Sequence, residues 1–248
     1  MSKTIEILFP VLNEENRLEK GIVTTWHYIE DQLSSYSPWD FRITIVDNGS
    51  TDKTPDIARN LCQQYSSVSY IQISERGVGA AFRAGLAPST ADIIGYMDID
   101  LSTDIKHLKD VVDAFNQSST LDLVNGSRLH KSAKMAGRKW YRNLSTRGLV
   151  LLLKWTLHLK ASDAICGFKF FKRDTVTMLC NEATHEDGWF YIIELLLRAE
   201  RRQCHILELP VNWEDEHQTK VHFFKLVGNY MKHIVRLFWT FRFKSRRR

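Results

Sequence analysis

Two aspartates, Asp98 and Asp100, stand two residues apart after the uncharged run IIGYM. At a strand end, residues i and i+2 leave on the same side, so this spacing predicts two carboxylates emerging together at one sheet edge. Paired oxygen ligands with no neighbouring His or Cys suit Mg2+ or Mn2+, which take their remaining ligands from water and substrate phosphates. Asp47 ends an earlier apolar run, FRITIVD, in the same way, and a carboxylate there can accept a hydrogen bond from a nucleobase N–H. The NGSTD that follows reads as a turn in which Ser50 or Thr51 caps the next helix. The glycine-rich ERGVGAAFRAG could cradle phosphate on free amides at a helix start, although it matches neither G-x-G-x-x-G nor G-x-x-x-x-G-K-[ST]. His185, Glu186 and Asp187 form a third cluster. It is either a source of a general base for an acceptor hydroxyl or the cap of a helix beginning at Trp189.

The elements that must position these residues alternate along the first half. Strand patterns (IEILFPV, FRITIVD, SVSYIQI, DIIGYMDID, LDLVNGS) are separated by helical ones over about 14–33, from the Ser50 or Thr51 cap through Tyr65, and over 77–86 and 105–116. That alternation predicts an α/β fold, a doubly wound and mostly parallel sheet with helices on both faces. Ligands bind such sheets outside the carboxyl ends of the strands, where PVLNEE, DNGSTD, ERGVGA, DIDLST and NGSRLH all fall. Beyond Lys139 the pattern changes to a long amphipathic helix, a short strand GFKFFK, the helix WFYIIELLLRAE, the strand HILELPVNW and a final basic helix over about 221–243. We read residues 1–215 as one domain, including the helix at about 138–160, and 216–248 as a basic amphipathic helix and tail.

Composition narrows the function classes. The 248 residues are 44% hydrophobic and 25% charged, which excludes a disordered chain. The longest apolar run, near Leu149 to Leu153, is far short of the ~20 residues a spanning helix needs. The N-terminus has no secretory pattern, so a cytoplasmic location is expected. Cys62, Cys166, Cys180 and Cys204 have no C-x-x-C spacing and read as reduced, buried thiols. Residues 1–124 carry 10 Lys+Arg against 18 Asp+Glu, leaving 24 against 11 for the second half. Two stretches, Arg128 to Ser162 and everything after Glu216, hold nine cations each and no acid. Basic, aromatic-rich blocks of this kind favour a polyanion: nucleic acid, an anionic membrane surface or a phosphorylated substrate. The apolar residues interleaved with their cations fit interfacial helices, and packing against the sheet or a partner subunit is the alternative.

FPVLNEE, IVDNGSTDKT, ERGVGAAFRAG, MDIDLST, NGSR, ICGFKFFKRD and LPVNWEDE, in this order, resemble the family 2 glycosyltransferases of GT-A fold. Within them the chain resembles the polyprenyl-phosphate sugar synthases, namely the dolichyl-phosphate glucose and mannose synthases and their bacterial relatives. The resemblance implies that Pro10, Leu12, Glu14 and Asp47 hold the nucleoside, that Gly77 and Gly79 lie against it, and that Asp98 and Asp100 bind Mg2+ or Mn2+ on the donor diphosphate. It assigns Arg128 and Arg142 to the acceptor phosphate, Asp163, Gly167 and Phe168 to an element closing the site, and Trp213, Glu214 and Lys220 to a segment covering the donor. Ser102 stands where mannose synthases often have Gln, and Leu12 where an aromatic is frequent.

The expected reaction is inverting transfer of a hexose from a nucleotide diphosphate sugar to polyprenyl phosphate at a membrane surface. The resemblance favours UDP-glucose as donor, with GDP-mannose second. Asp98, Asp100, Arg128 and Asp187 are the candidate catalytic residues, and a homo-oligomer is left open. Two alternatives stand beside this reading. One is the same fold acting on a saccharide or protein hydroxyl with Asp187 or Glu186 as base, and the other, more distant, is a nucleic-acid-binding module.

Overall fold

Strands β1 (Lys3–Val11), β2 (Trp39–Asp47), β3 (Val68–Gln72), β4 (Ile93–Met97) and β5 (Leu123–Ser127) arise where the alternating pattern places them. In this computed structural model, residues 3–36, 38–137, 140–214 and 223–244 are described, with side chains described outside 140–142, 223–229 and 244. β7 (Phe168–Lys172) and β8 (Ile206–Pro210) complete a seven-stranded sheet of order β3-β2-β1-β4-β7-β5-β8. All pairings are parallel except those of β7, which runs antiparallel between β4 and β5. A small parallel pair joins β6 (Met135–Ala136) to β9 (Trp213–Glu214).

Helices cover both sheet faces. On one, α1 (Leu18–Tyr28, prolonged by a π-type turn over Ile29–Leu33), α2 (Thr54–Gln64) and α4 (His107–Gln117) bury Leu18, Ile22, Leu61, Val111 and Val112. On the other, α3 (Val78–Leu86), α5 (Trp140–Leu157), α6 (Arg173–Glu182), α7 (Phe190–Arg201) and α8 (Phe223–Lys244) bury Phe82, Leu153, Val176, Leu195 and Leu237. The continuous apolar runs of β1, β2 and β4 follow from this two-sided cover.

Several local expectations change. Neither Ser50 nor Thr51 caps α2, which starts at Thr54. Instead Ser50 Oγ accepts the Asn13 N–H at 2.9 Å and Asn13 Oδ1 accepts the Thr51 N–H at 2.8 Å, bracing the loops after β1 and β2 together. The first helix begins at Leu18 rather than Glu14, because Asn13 turns the chain through a left-handed conformation, φ +55°. Helix α6 has no counterpart in the sequence reading. The apolar residues of α5 lie on two sides: Val150, Leu153 and Leu157 are buried, while Leu144, Leu151 and Trp155 are exposed. α8 likewise buries Tyr230, Ile234 and Leu237 and exposes Met231, Val235, Trp239 and Phe243. Of the four free cysteines only Cys166 is fully buried.

Candidate functional site

Asp98 and Asp100 do come together, but in a turn rather than on a pleat. β4 ends at Met97, and the chain then turns with a Leu101 N–H to Asp98 carbonyl bond of 3.3 Å and Leu101 at φ +51°. Tyr96 donates its hydroxyl to Asp98 Oδ1 at 3.0 Å, and Ser102 donates its N–H to Asp100 Oδ1 at 3.0 Å. Burial, and after it the Asp100 charge, pushes the Asp98 carboxyl up to about 7. Glu14 is also raised, chiefly by burial, and feels the charge of Asp100. This is an all-oxygen donor set with more negative charge than its protein surroundings neutralise, which is the chemistry a hard divalent cation fits. No group of three or more His, Cys, Asp or Glu among the described residues is arranged to hold a metal. The two aspartates would therefore need donor phosphates to complete the coordination.

A buried cationic layer lies behind this pair. Arg128, at the end of β5, forks onto Asp163, its Nε donating to Oδ2 at 2.7 Å and its Nη2 to Oδ1 at 3.1 Å. Burial alone would raise Asp163; the Arg128 guanidinium overrides it and holds the carboxyl at about 2. Lys169, the second residue of β7, is fully buried and donates Nζ to the Cys166 carbonyl at 2.7 Å. Burial pulls its ammonium below the usual lysine range and pushes the Cys166 thiol up to about 11. Asn125 Nδ2 donates to the Asp163 carbonyl at 2.9 Å. These bonds fix the 163–167 turn, whose Gly167 carbonyl accepts the Asp98 N–H at 3.2 Å.

Asp47 ends β2 fully buried, with Oδ1 accepting the Ser50 N–H at 2.8 Å and Oδ2 the Tyr70 hydroxyl at 2.9 Å. Pro10 sits beside Val46 in the β1–β2 register, Leu12 is exposed at the sheet edge, and Glu14 pairs with Arg17. Trp213 lies under the Arg128 guanidinium at 5.8 Å and bridges Thr103. Glu214 donates its N–H to the Ser102 carbonyl at 2.8 Å, which ties the end of β9 to the aspartate turn. Phe168 is buried in β7. Lys220 lies outside the described residues, as does the side chain of Arg142, whose backbone is in the first turn of α5.

The glycine-rich segment departs from expectation. The first amides of α3 are not free for a phosphate: Gly79 N donates to the Asp187 carbonyl at 2.7 Å and Ala80 N to the same oxygen at 3.2 Å. Gly77, at φ +130°, and Gly79 both lack room for a β-carbon because the backbone of residues 186–188 packs on them. The HED cluster is thus tied to α3 and not to a helix cap. α7 starts at Phe190 with no side-chain cap. Arg83 completes the tie, Nη1 donating to the Glu186 carbonyl at 2.8 Å and Nη2 to Asp187 Oδ1, with its guanidinium over Tyr191. Glu186 Oε1 accepts the Gly188 N–H at 2.9 Å and faces His233 of α8.

Tyr70, Arg83, Tyr96, Asn125 and Lys169 escape the sequence reading. Only Lys169 carries a sequence signal, a cation set among three phenylalanines in GFKFFK.

Residues 6–177 match the family described as glycosyl transferase family 2. The glycosyltransferase AglD of Haloferax volcanii is 28% identical over 98% of this chain, which spans 38% of that protein's length. The dolichyl-phosphate beta-glucosyltransferase of Homo sapiens is 29% identical over 89% of this chain and 70% of its own. Among solved structures, glucosyl-3-phosphoglycerate synthase from Mycobacterium tuberculosis, in complex with Mn2+, uridine-diphosphate and glucosyl-3-phosphoglycerate, superposes with a TM-score of 0.64 at 19% identity, covering 94% of this chain and 77% of that one. At that identity the likeness establishes the GT-A type of fold.

Proposed function

The chain belongs to glycosyl transferase family 2, and from that premise we propose that it transfers glucose from UDP-glucose to a polyprenyl phosphate, with inversion, at a membrane surface. The observation that carries this reading is the aspartate pair set against a buried cation: Asp98 and Asp100 at the sheet edge, with Asp98 hydrogen-bonded to Gly167 of the 163–167 turn whose Asp163 holds Arg128. A donor diphosphate and an acceptor phosphate need this juxtaposition of a metal-binding and an anion-binding side. The similarity to dolichyl-phosphate beta-glucosyltransferases supports glucose and a lipid phosphate as the pair.

Asp98 and Asp100 would hold Mg2+ or Mn2+. When bound, the ion stabilises charge on the leaving diphosphate. The chain's own residues do the rest. Pro10, Leu12, Glu14 and the Asp47 turn line the nucleoside side, while Trp213 and Glu214 cover the donor. Arg128, fixed by Asp163, and Arg142 orient the acceptor phosphate. That phosphate is ionised at neutral pH, so it attacks the anomeric carbon without a strong general base. Arg83 engages Asp187 Oδ1 and the Gly188 N–H engages Glu186 Oε1, so one oxygen of each carboxylate is committed to holding this loop.

Among the described residues no helix is long and apolar enough to cross a membrane. The exposed rows Leu144, Leu151, Trp155 on α5 and Met231, Val235, Trp239, Phe243 on α8 would instead rest in the interface. The test is transfer from labelled UDP-glucose and GDP-mannose to a short polyprenyl phosphate with Mg2+ or Mn2+. Lipid-linked glucose formed from UDP-glucose is the expected product. Labelled sugar on a hydroxyl acceptor but not on the lipid would overturn the assignment.

A further inference from the structure

On the side of the molecule formed by the C-terminal ends of three helices, a cleft opens between α5, α7 and α8. It is lined by Thr156, Leu157 and His158 at the end of α5, Arg201 of α7, and Phe238, Phe241 and Arg242 of α8, and encloses roughly 530 Å3 that includes space open to solvent. Neither the site around Asp98 nor the loop of Glu186 and Asp187 contributes a residue to it.

The two arginines in this cleft are held by aromatic rings and have no carboxylate partner among the described residues. Arg201 lies over the Phe241 ring at 4.1 Å, with an Nη2 contact to the Phe241 carbonyl at 3.4 Å, and Arg242 lies over Phe238 at 5.7 Å. Stacking on an aromatic face fixes a guanidinium plane while leaving its edge N–H groups available for a forked contact. Among the described residues neither arginine pairs with a carboxylate. The nearest acid in sequence, Glu200, accepts the amides of Lys160 and Ala161 at 2.8 and 2.7 Å, and Glu194 is taken by Arg198 at 2.8 and 2.6 Å. Burial, and after it the like charge of Arg198, pulls Arg201 below the usual guanidinium value, in keeping with a cation that lacks a partner.

The surroundings identify the anion's source. The helix turns that build the cleft also present Leu151, Trp155, Trp239 and Phe243 to solvent, with Trp155 82% exposed. A soluble anion would need no such apolar rim. A lipid headgroup brings its own acyl chains to cover it. We propose that this cleft binds the phosphate headgroup of an anionic membrane phospholipid, separately from the acceptor-phosphate position assigned to Arg128 and Arg142. The proposal rests on the membrane-facing reading of α5 and α8. It adds to that reading a defined contact, which would orient the chain on the surface.

The test is partitioning of the full chain onto phosphatidylcholine vesicles with and without phosphatidylglycerol. The double variant Arg201→Lys, Arg242→Lys keeps the net charge but replaces each fork with a point charge, so its preference for the anionic vesicles should fall severalfold. Arg201→Gln with Arg242→Gln should lose about tenfold or more, whereas Arg59→Lys with Arg147→Lys should bind as wild type does. Transfer to a short polyprenyl phosphate in detergent should stay unchanged in all three, showing that the fold and the reaction site are intact. Wild-type binding by the double lysine variant would overturn the site and leave only diffuse attraction. Competition by inorganic phosphate as strong as that by short-chain phosphatidylglycerol would overturn the lipid as ligand. Absence of vesicle binding by the wild type would overturn this site and the membrane-facing reading together, while detergent activity would still report on the transfer reaction.

Discussion

Gly167 lies directly against the carboxylate of Asp98: a β-carbon built at Gly167 would overlap both carboxylate oxygens, and the backbones of the two residues are joined by a hydrogen bond of 3.2 Å. Position 167 is thus the floor on which one of the proposed metal ligands rests. Gly167→Ala must displace either the turn or the carboxylate. Since a misplacement of ~1 Å at a reacting centre can cost on the order of a hundredfold in rate, turnover should fall by about that factor. The stability loss should stay near the ~1–3 kcal/mol of ordinary overpacking. Steady-state kinetics and thermal melts measure the two, and near-normal turnover would mean that Asp98 does not work from the position seen here.

Asp100→Ala should remove transfer and, in titration calorimetry, erase the dependence of UDP binding on Mn2+ while the melting curve stays close to wild type. Its carboxylate makes one described hydrogen bond, to the Ser102 N–H, so little of the fold depends on it. UDP affinity that responds to Mn2+ equally in variant and wild type would place the metal elsewhere.

Asp163 gives a pH signature. Its carboxyl is held at about 2 against an ordinary 3.8, so the ionised form is favoured in the folded chain. The stability this contributes is fully present above about pH 4 and is lost as pH falls through about 2. The linked amount is about 2 kcal/mol. Wild type should exceed Asp163→Asn by at least that much at neutral pH, since the variant also leaves Arg128 buried without its partner. Urea midpoints of the two should converge between pH ~4 and ~2. A gap that stays constant over that window would show that Asp163 titrates normally.

Much of this arrangement is legible in the sequence, and the limits have physical causes. β1, β2 and β4 announce themselves because two-sided burial demands largely apolar runs, β3 and β5 by their place in the alternation with helices, and the carboxylates that follow β2 and β4 mark the ligand edge. Asp98 and Asp100 are found for a reason that is only half right, since a turn and not a pleat brings them together. The Arg128–Asp163 fork joins residues 35 apart across separate elements, and no local pattern encodes it. α6 is missed because RDTVTMLCNE is short and its apolar stripe, Val176, Leu179 and Cys180, is set among polar and β-branched residues. Gly77 and Gly79 are read from the sequence as lying against the nucleoside. What approaches them is the chain's own 186–188 backbone, a contact between segments about a hundred residues apart.

Arg142 sits in the first turn of α5, fourteen residues beyond Arg128. If it holds the acceptor phosphate through charge-assisted hydrogen bonds, Arg142→Ala should raise the KM for polyprenyl phosphate and leave UDP binding within about twofold of wild type. Loss of donor affinity to the same degree would move the residue to the nucleotide side.

Asp187 separates the phosphate reading from the hydroxyl one. Its Oδ1 is engaged by Arg83, its carbonyl accepts two amides of α3, and its loop packs on Gly77 and Gly79. All of these contacts describe a residue that shapes the site wall. Asn keeps the shape and the hydrogen-bond acceptor at Oδ1 but cannot take up a proton as a general base. With a phosphate acceptor, Asp187→Asn should keep turnover within about tenfold of wild type, because only the ion pair with Arg83 is weakened. With a hydroxyl acceptor the loss should reach the ~100- to 10,000-fold typical of a removed general base, and the pH–rate profile should lose its acidic limb. Arg83→Gln supplies the second arm. If Asp187 serves only to position its loop, breaking the tie from the Arg83 side should reproduce the modest effect of Asp187→Asn, and the double variant should add little to either. A large loss confined to Asp187→Asn would establish it as the base and turn the assignment toward a hydroxyl acceptor.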